Sequence, residues 1–195
     1  MSDLPSDATL IVIDVQKGFD DPRWGRRNNP HAESNIKTIL EAWRTRRMAI
    51  IHTQHCSRES DSPLRPGVIG NEIKEVVSPL PGEPVLTKNV NSAFIGTDLE
   101  SRLRKDGVGS VVLVGITTDH CVSTTARMAA NLGFTTYVVS DATATFDRNG
   151  PDGRHYRAEE IQAVNLASLH GEFATVLDTE TLLKKLKVFE KGAHQ

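Results

Sequence analysis

Cysteine is scarce in this chain. Its 195 residues include two, Cys56 and Cys121, too few for a disulfide framework. Neither belongs to a C-x-x-C pair, so no zinc or dithiol redox motif is supported. Long apolar runs are missing too. Nothing approaches the roughly 20 residues of a membrane span, and the opening MSDLPSDATL has neither the basic nor the apolar region of a signal peptide. A reducing, cytoplasmic setting with no membrane partner is expected. There is no excess of positive charge. Lys and Arg number 23 against 25 Asp and Glu, a net charge of -2, so no nucleic-acid partner is expected. A G-x-G-x-x-G fingerprint is absent, which removes support for a dinucleotide site. No repeat, linker or low-complexity tract divides the chain, and residues 1–195 read as a single domain with room for one large core.

What is present is organised around Val111–Val122, VVLVGITTDHCV. Its apolar beginning reads as a strand buried on both faces, as in the centre of a parallel sheet. Gly115 allows a sharp turn, and Thr117, Thr118 or Asp119 can cap a helix. Cys121–Asn131 then reads as a helix with Gly133 at its carboxyl end. Further strands are expected at Ala8–Asp14, Met48–Thr53, Pro84–Thr87, Phe134–Ser140 and Phe173–Leu177. Further helices are expected at His31–Arg47, Asp98–Lys105, Ala158–Leu169 and Thr179–Leu186, with a short one at Glu72–Val77. Gln16–Asn29, Gln54–Gly82 and Asp141–Arg154 read as loops. Alternating strands and helices imply an α/β fold, a parallel sheet with helices on both faces.

Ligands of open parallel sheets sit at the carboxyl ends of the strands. Asp14, Lys88 and Cys121 each follow a strand there. A thiol at its ordinary pKa, about 8.5, is mostly protonated at neutral pH. A helix start and a nearby lysine would both favour the thiolate. Each residue also has a plainer reading: Cys121 as a small buried hydrophobe, Asp14 as a turn cap, Lys88 as a surface charge. Phe19, Trp24 and Phe94 fit packing as well as substrate contact. His52 and His55 read as structural rather than as metal ligands, His120 as pointing away from the nucleophile, Cys56 as incidental, and Asp119 as a cap or loop anchor. Arg23, Arg26, Arg27, Arg65 and Arg148 lie in the three loops, where a carboxylate-bearing substrate or plain solvation would account for them.

Three motifs occur in order along nearly the whole chain: LIVIDVQKGF at Leu10–Phe19, LTKNVNSAFIGTDL at Leu86–Leu99, and VGITTDHCVSTTARMAANLGF at Val114–Phe134. On these the chain resembles the isochorismatase-like cysteine hydrolase superfamily, which includes nicotinamidases, N-carbamoylsarcosine amidases and ureidoacrylate hydrolases. The resemblance implies a three-layer α/β/α fold with a six-stranded parallel sheet in the order 3-2-1-4-5-6. It implies a catalytic triad of Asp14, Lys88 and Cys121. It also implies a cis peptide between Ile116 and Thr117, with the N–H groups of Thr117 and Cys121 forming an oxyanion hole. Phe19, Trp24, Asn91 and Phe94 are candidate substrate contacts. Nicotinamidases carry a D-x-H metal site after the second strand. Here that place reads HTQHCS, His52–Ser57, so no metal and no cofactor is expected.

The expected activity is hydrolysis of a C–N bond in a small amide, ureide or lactam, in a homo-oligomer. A vinyl-ether hydrolase is a competing reading, but that chemistry requires no thiol. A catalytically silent oligomer is another. In the strand order above, Lys88 and Asp14 are two strands apart, roughly 10 Å at about 4.8 Å per strand. The chain after Thr87 would have to bend inward for them to meet.

Overall fold

The computed structural model describes residues 4–187, so Met1–Asp3 of the opening segment read above lie outside the described residues. The strand β1 (Thr9–Ile13) is buried along its whole length, as its unbroken run of apolar and β-branched residues requires. Its side chains alternate between two cores. Leu10 and Val12 join one apolar cluster, Ile11 and Ile13 the other. The same alternation divides β4 (Ser110–Ile116), where Val112, Val114 and Ile116 face the first cluster and Val111 and Leu113 the second. The helices α1 (Ala32–Thr45) and α5 (Thr179–Lys187) cover the first face. Ile36, Ile39, Leu40 and Trp43 of α1 pack there beside Leu182 and Leu186 of α5. The helices α2 (Leu99–Lys105), α3 (Ser123–Asn131) and α4 (Ala158–Leu169) contribute Leu99, Leu103, Ala126, Ala129 and Leu169 to the second. Three layers, α/β/α, result.

The strands β2 (Ile50–His55), β3 (Val85–Lys88), β5 (Thr135–Ala144) and β8 (Thr175–Leu177) complete a six-stranded sheet in the order β3-β2-β1-β4-β5-β8, parallel throughout. This is the expected 3-2-1-4-5-6 topology, β8 being the sixth strand of the sheet. β3 lies at an edge and alternates exposed and buried residues, which turns Leu86 and Lys88 inward.

Three local expectations are corrected. Asp141–Arg154 is not all loop. β5 continues to Ala144, and β6 (Arg148–Asn149) pairs antiparallel with β7 (His155–Tyr156). These pieces are too short and polar to carry a strand pattern in sequence. Gly115 does not turn the chain after β4 but lies inside it, at φ 127°. A Cβ there would stand 2.0 Å from the carbonyl oxygen of Ile13, so glycine is required by the close approach of β1 and β4. Finally, Cys121 precedes α3 in a π-helical turn, Thr118–Val122, rather than in an ordinary first helical turn. Asp119 does not cap it. Its carboxylate accepts from Thr145 Oγ1 and from Arg148 Nε, the latter at 2.9 Å, and so ties the cysteine turn to β6.

Candidate active site

Asp14 follows β1 directly and adopts φ 51°, a left-handed conformation that aspartate tolerates better than most residues. Its carboxylate is fully buried. Oδ1 accepts from Thr53 Oγ1 of β2 at 2.7 Å, and Oδ2 accepts from Lys88 Nζ at 2.5 Å. Both side chains of the Lys88–Asp14 pair have 0% exposure. The distance foreseen between their strands is bridged by the lysine stem. Lys88 ends β3 facing inward and reaches across β2, with Thr53 bracing the acid from the strand between. Lys88 Nζ also donates to the carbonyl of Val90 at 3.1 Å and lies 3.4 Å from Cys121 Sγ.

Cys121 is 6% exposed and belongs to the second apolar cluster with Ile13, Ala93 and Phe94. Its Sγ lies 3.7 Å from Asn91 Oδ1. The Ile116–Thr117 peptide just before its turn is cis. The hydroxyl oxygens of Thr117 and Thr118 are buried without partners. Burial pushes the Cys121 thiol far up, the negative charge of Asp14 adds to that, and Lys88 only partly opposes it. The lysine ammonium is shared between the carboxylate, at 2.5 Å, and the sulfur, at 3.4 Å.

The remaining sequence candidates divide. Asn91 reaches Cys121, and Phe94 shares its cluster while stacking on Phe134 at 6.0 Å between centroids. Phe19 and Trp24 instead pack with Phe146, at 6.2 and 5.9 Å, on the first core cluster. They join the loop after β1 to the loop after β5. Four of the five loop arginines are engaged within the chain: Arg23 with Asp21, Arg26 with Asp147 and Glu159, Arg27 with Glu33, and Arg148 with Asp119.

His55 was missed. The strand period places Thr53 and His55 on one face of β2, and the register sets His55 beside Lys88. That alternation was legible in IIHTQH, but only with the knowledge that Thr53 faces Asp14. A His55 ring nitrogen, an Asp14 oxygen and Cys121 Sγ all lie within 4.8 Å of one another. Three such donors could hold a metal, yet the Lys88 ammonium already supplies the positive charge among them. His52 lies on the opposite sheet face, 3.1 Å from Glu83, and cannot join them. A cavity of about 860 Å³ opens elsewhere, beside Thr9, Ile50 and Pro84 at the amino ends of the strands, away from Cys121.

The isochorismatase domain family matches residues 8–181 of the chain. The chain belongs to the isochorismatase family. It is 50% identical to the isochorismatase family protein YrdC of Bacillus subtilis over 174 residues, covering 89% of this chain and 93% of that one. A crystal structure of an isochorismatase-family protein from Chromobacterium violaceum superposes with a TM-score of 0.93 at 41% identity, covering 96% of this chain and 97% of the other. Nicotinamidase 3 of Arabidopsis thaliana is 29% identical, covering 92% of this chain and 88% of its own.

Proposed function

We propose that this isochorismatase-family hydrolase cleaves the C–N bond of a small amide, ureide or lactam through a thioester on Cys121. The observation that carries the reading is the buried cluster in which Lys88 Nζ stands 2.5 Å from Asp14 and 3.4 Å from Cys121 Sγ. Nucleophile, base and cation occupy one site. An amidase among the relatives supports the same class of bond.

Burial raises the thiol pKa, so Asp14 serves as the base at the moment of attack. As Sγ bonds to the carbonyl carbon, its proton passes to Asp14, and Lys88 balances the charge that forms. The backbone N–H groups of Thr117 and Cys121 receive the oxyanion, a donor of this kind contributing roughly 3–4 kcal/mol. Asp14 then gives its proton to the departing nitrogen as the C–N bond breaks. Water hydrolyses the thioester and returns the proton to sulfur. A vinyl-ether hydrolase has no use for Sγ between an acid and a lysine, and a silent scaffold has no use for a buried ion pair beside it. A homo-oligomer whose subunits cover each other's pocket mouths accompanies this reading.

Ammonia release over a panel of small amides and ureides tests the proposal. Hydrolysis in the parent that disappears in Cys121→Ala, with the melting temperature retained, is the expected result. An inactive parent whose Cys121 is also inert to iodoacetamide would favour the scaffold.

A further inference from the structure

Among the described residues, His55 is a titratable group at the candidate site that the scheme above leaves idle. Its backbone is firmly placed. The N–H donates to Gln16 Oε1 at 2.9 Å, and the carbonyl accepts from Gln16 Nε2 at 3.0 Å and from Asn71 Nδ2 at 2.8 Å. This clamp fixes the last residue of β2, and the strand period delivers the imidazole to the face of Thr53, Lys88 and Cys121. Its reach to both Asp14 and Sγ, within 4.8 Å, follows from that placement.

The site disfavours a charged ring. Burial first, then the charge of Lys88, keeps its pKa below the ordinary value, although Asp14 and the Val90 carbonyl pull the other way. A neutral imidazole carries one N–H and one bare nitrogen. Nδ1 of the ring is buried and has no partner. A buried acceptor of this kind calls for a water or a ligand atom. Thioester hydrolysis calls for a water at this place. Asp14 can take one of its protons but is itself fixed by Thr53 and Lys88, so the second O–H needs a hydrogen-bond acceptor of its own.

We infer that His55 is a further catalytic residue, which holds the hydrolytic water beside Cys121 Sγ and the Asp14 carboxylate by accepting a hydrogen bond from it. The assignment rests on the thioester reading. In the step it serves, the water oxygen bonds to the thioester carbon, one water proton passes to Asp14, and the C–S bond breaks. The carboxylic acid leaves, and Asp14 returns the proton to the Cys121 sulfur. His55 keeps its own proton throughout and fixes only the direction of the water lone pair.

The full-length protein with p-nitrophenyl acetate as the acylating probe tests this. The parent should release a burst of p-nitrophenolate, then turn over slowly, with acetyl mapped to Cys121. His55→Leu should keep the burst and the rate of iodoacetamide alkylation, while its steady-state rate falls about tenfold to a hundredfold. Acetyl-Cys121 should accumulate in that variant. His55→Asn sets an amide oxygen near the place of Nδ1 and should recover part of the loss. It also carries the test if His55→Leu does not fold. An unchanged steady state in the two variants overturns the assignment. So does a parallel slowing of burst and alkylation, which would make His55 an activator of the thiol. Absence of acetyl from Cys121 in the parent itself overturns the thioester reading, and the water role with it, before any variant is compared.

Discussion

Lys88→Met is the substitution whose consequences the structure fixes most closely. It keeps most of the apolar stem and removes the ammonium that stands 2.5 Å from Asp14 Oδ2. Both partners are fully buried, so Asp14 loses its counter-ion where water cannot replace it. Breaking such a pair from one side costs about 3–5 kcal/mol. A typical domain holds only about 5–15 kcal/mol in total. At about 2–4 °C per kcal/mol for a chain of this size, the melting temperature should fall by roughly 6–20 °C. Lys88 is also the group that opposes the upward shift of the Cys121 thiol, so the pH of half-maximal iodoacetamide alkylation should rise. The value of kcat/KM should fall by at least about a hundredfold, which corresponds to about 2.7 kcal/mol of transition-state stabilisation. Asp14→Asn combined with Lys88→Met removes both charges and should regain most of the stability without regaining activity. Calorimetry and alkylation kinetics on the three proteins give the answer. A Lys88→Met protein that melts, alkylates and turns over like the parent would refute the reasoning, because no buried pair could then exist.

Asp14→Asn alone removes a charge that raises the thiol pKa, so alkylation at neutral pH should quicken while hydrolysis fails; slower alkylation would contradict the charge assignment. Acid should weaken the fold through Glu33. Burial works against its carboxylate, but hydrogen bonds from Arg27 and Lys74 outweigh that and hold its pKa at about 2 against 4.5. The stability this lends is complete above about pH 4.5 and is lost as the pH falls toward 2. The melting-temperature gap between the parent and Glu33→Gln should therefore close over that interval, and a constant gap would show that the pair is not formed. Chelation by EDTA should leave hydrolysis intact, since Lys88 holds the place of a cation beside Asp14; loss of activity restored by zinc would mean that Asp14, His55 and Cys121 bind metal after all.

Much of this architecture was legible because β1 and β4 are buried on both faces and carry unbroken apolar runs. Asp14, Lys88 and Cys121 could be named because each closes or follows a strand. Their meeting could not be read from strand order, since it depends on the inward-facing edge position of Lys88 and on Thr53 in the strand between. The nearness of His55 to the site stayed hidden because it depends on which face of β2 meets the carboxylate. The balance of charges around the thiol was hidden for a related reason. A nearby lysine suggests a thiolate until the geometry shows that lysine paired with a buried acid. The pairing of β6 with β7 involves two residues on each side, below the length at which a hydrophobic period can register.

The central claim is that hydrolysis passes through a covalent bond to Cys121. Rapid acid quenching during turnover of an amide that releases ammonia, followed by peptide mapping, tests it directly. A thioester mechanism requires the substrate's acyl group on Cys121 and on no residue of the Cys121→Ala protein, which should also release no ammonia. Turnover by Cys121→Ala with an unmodified chain would contradict it.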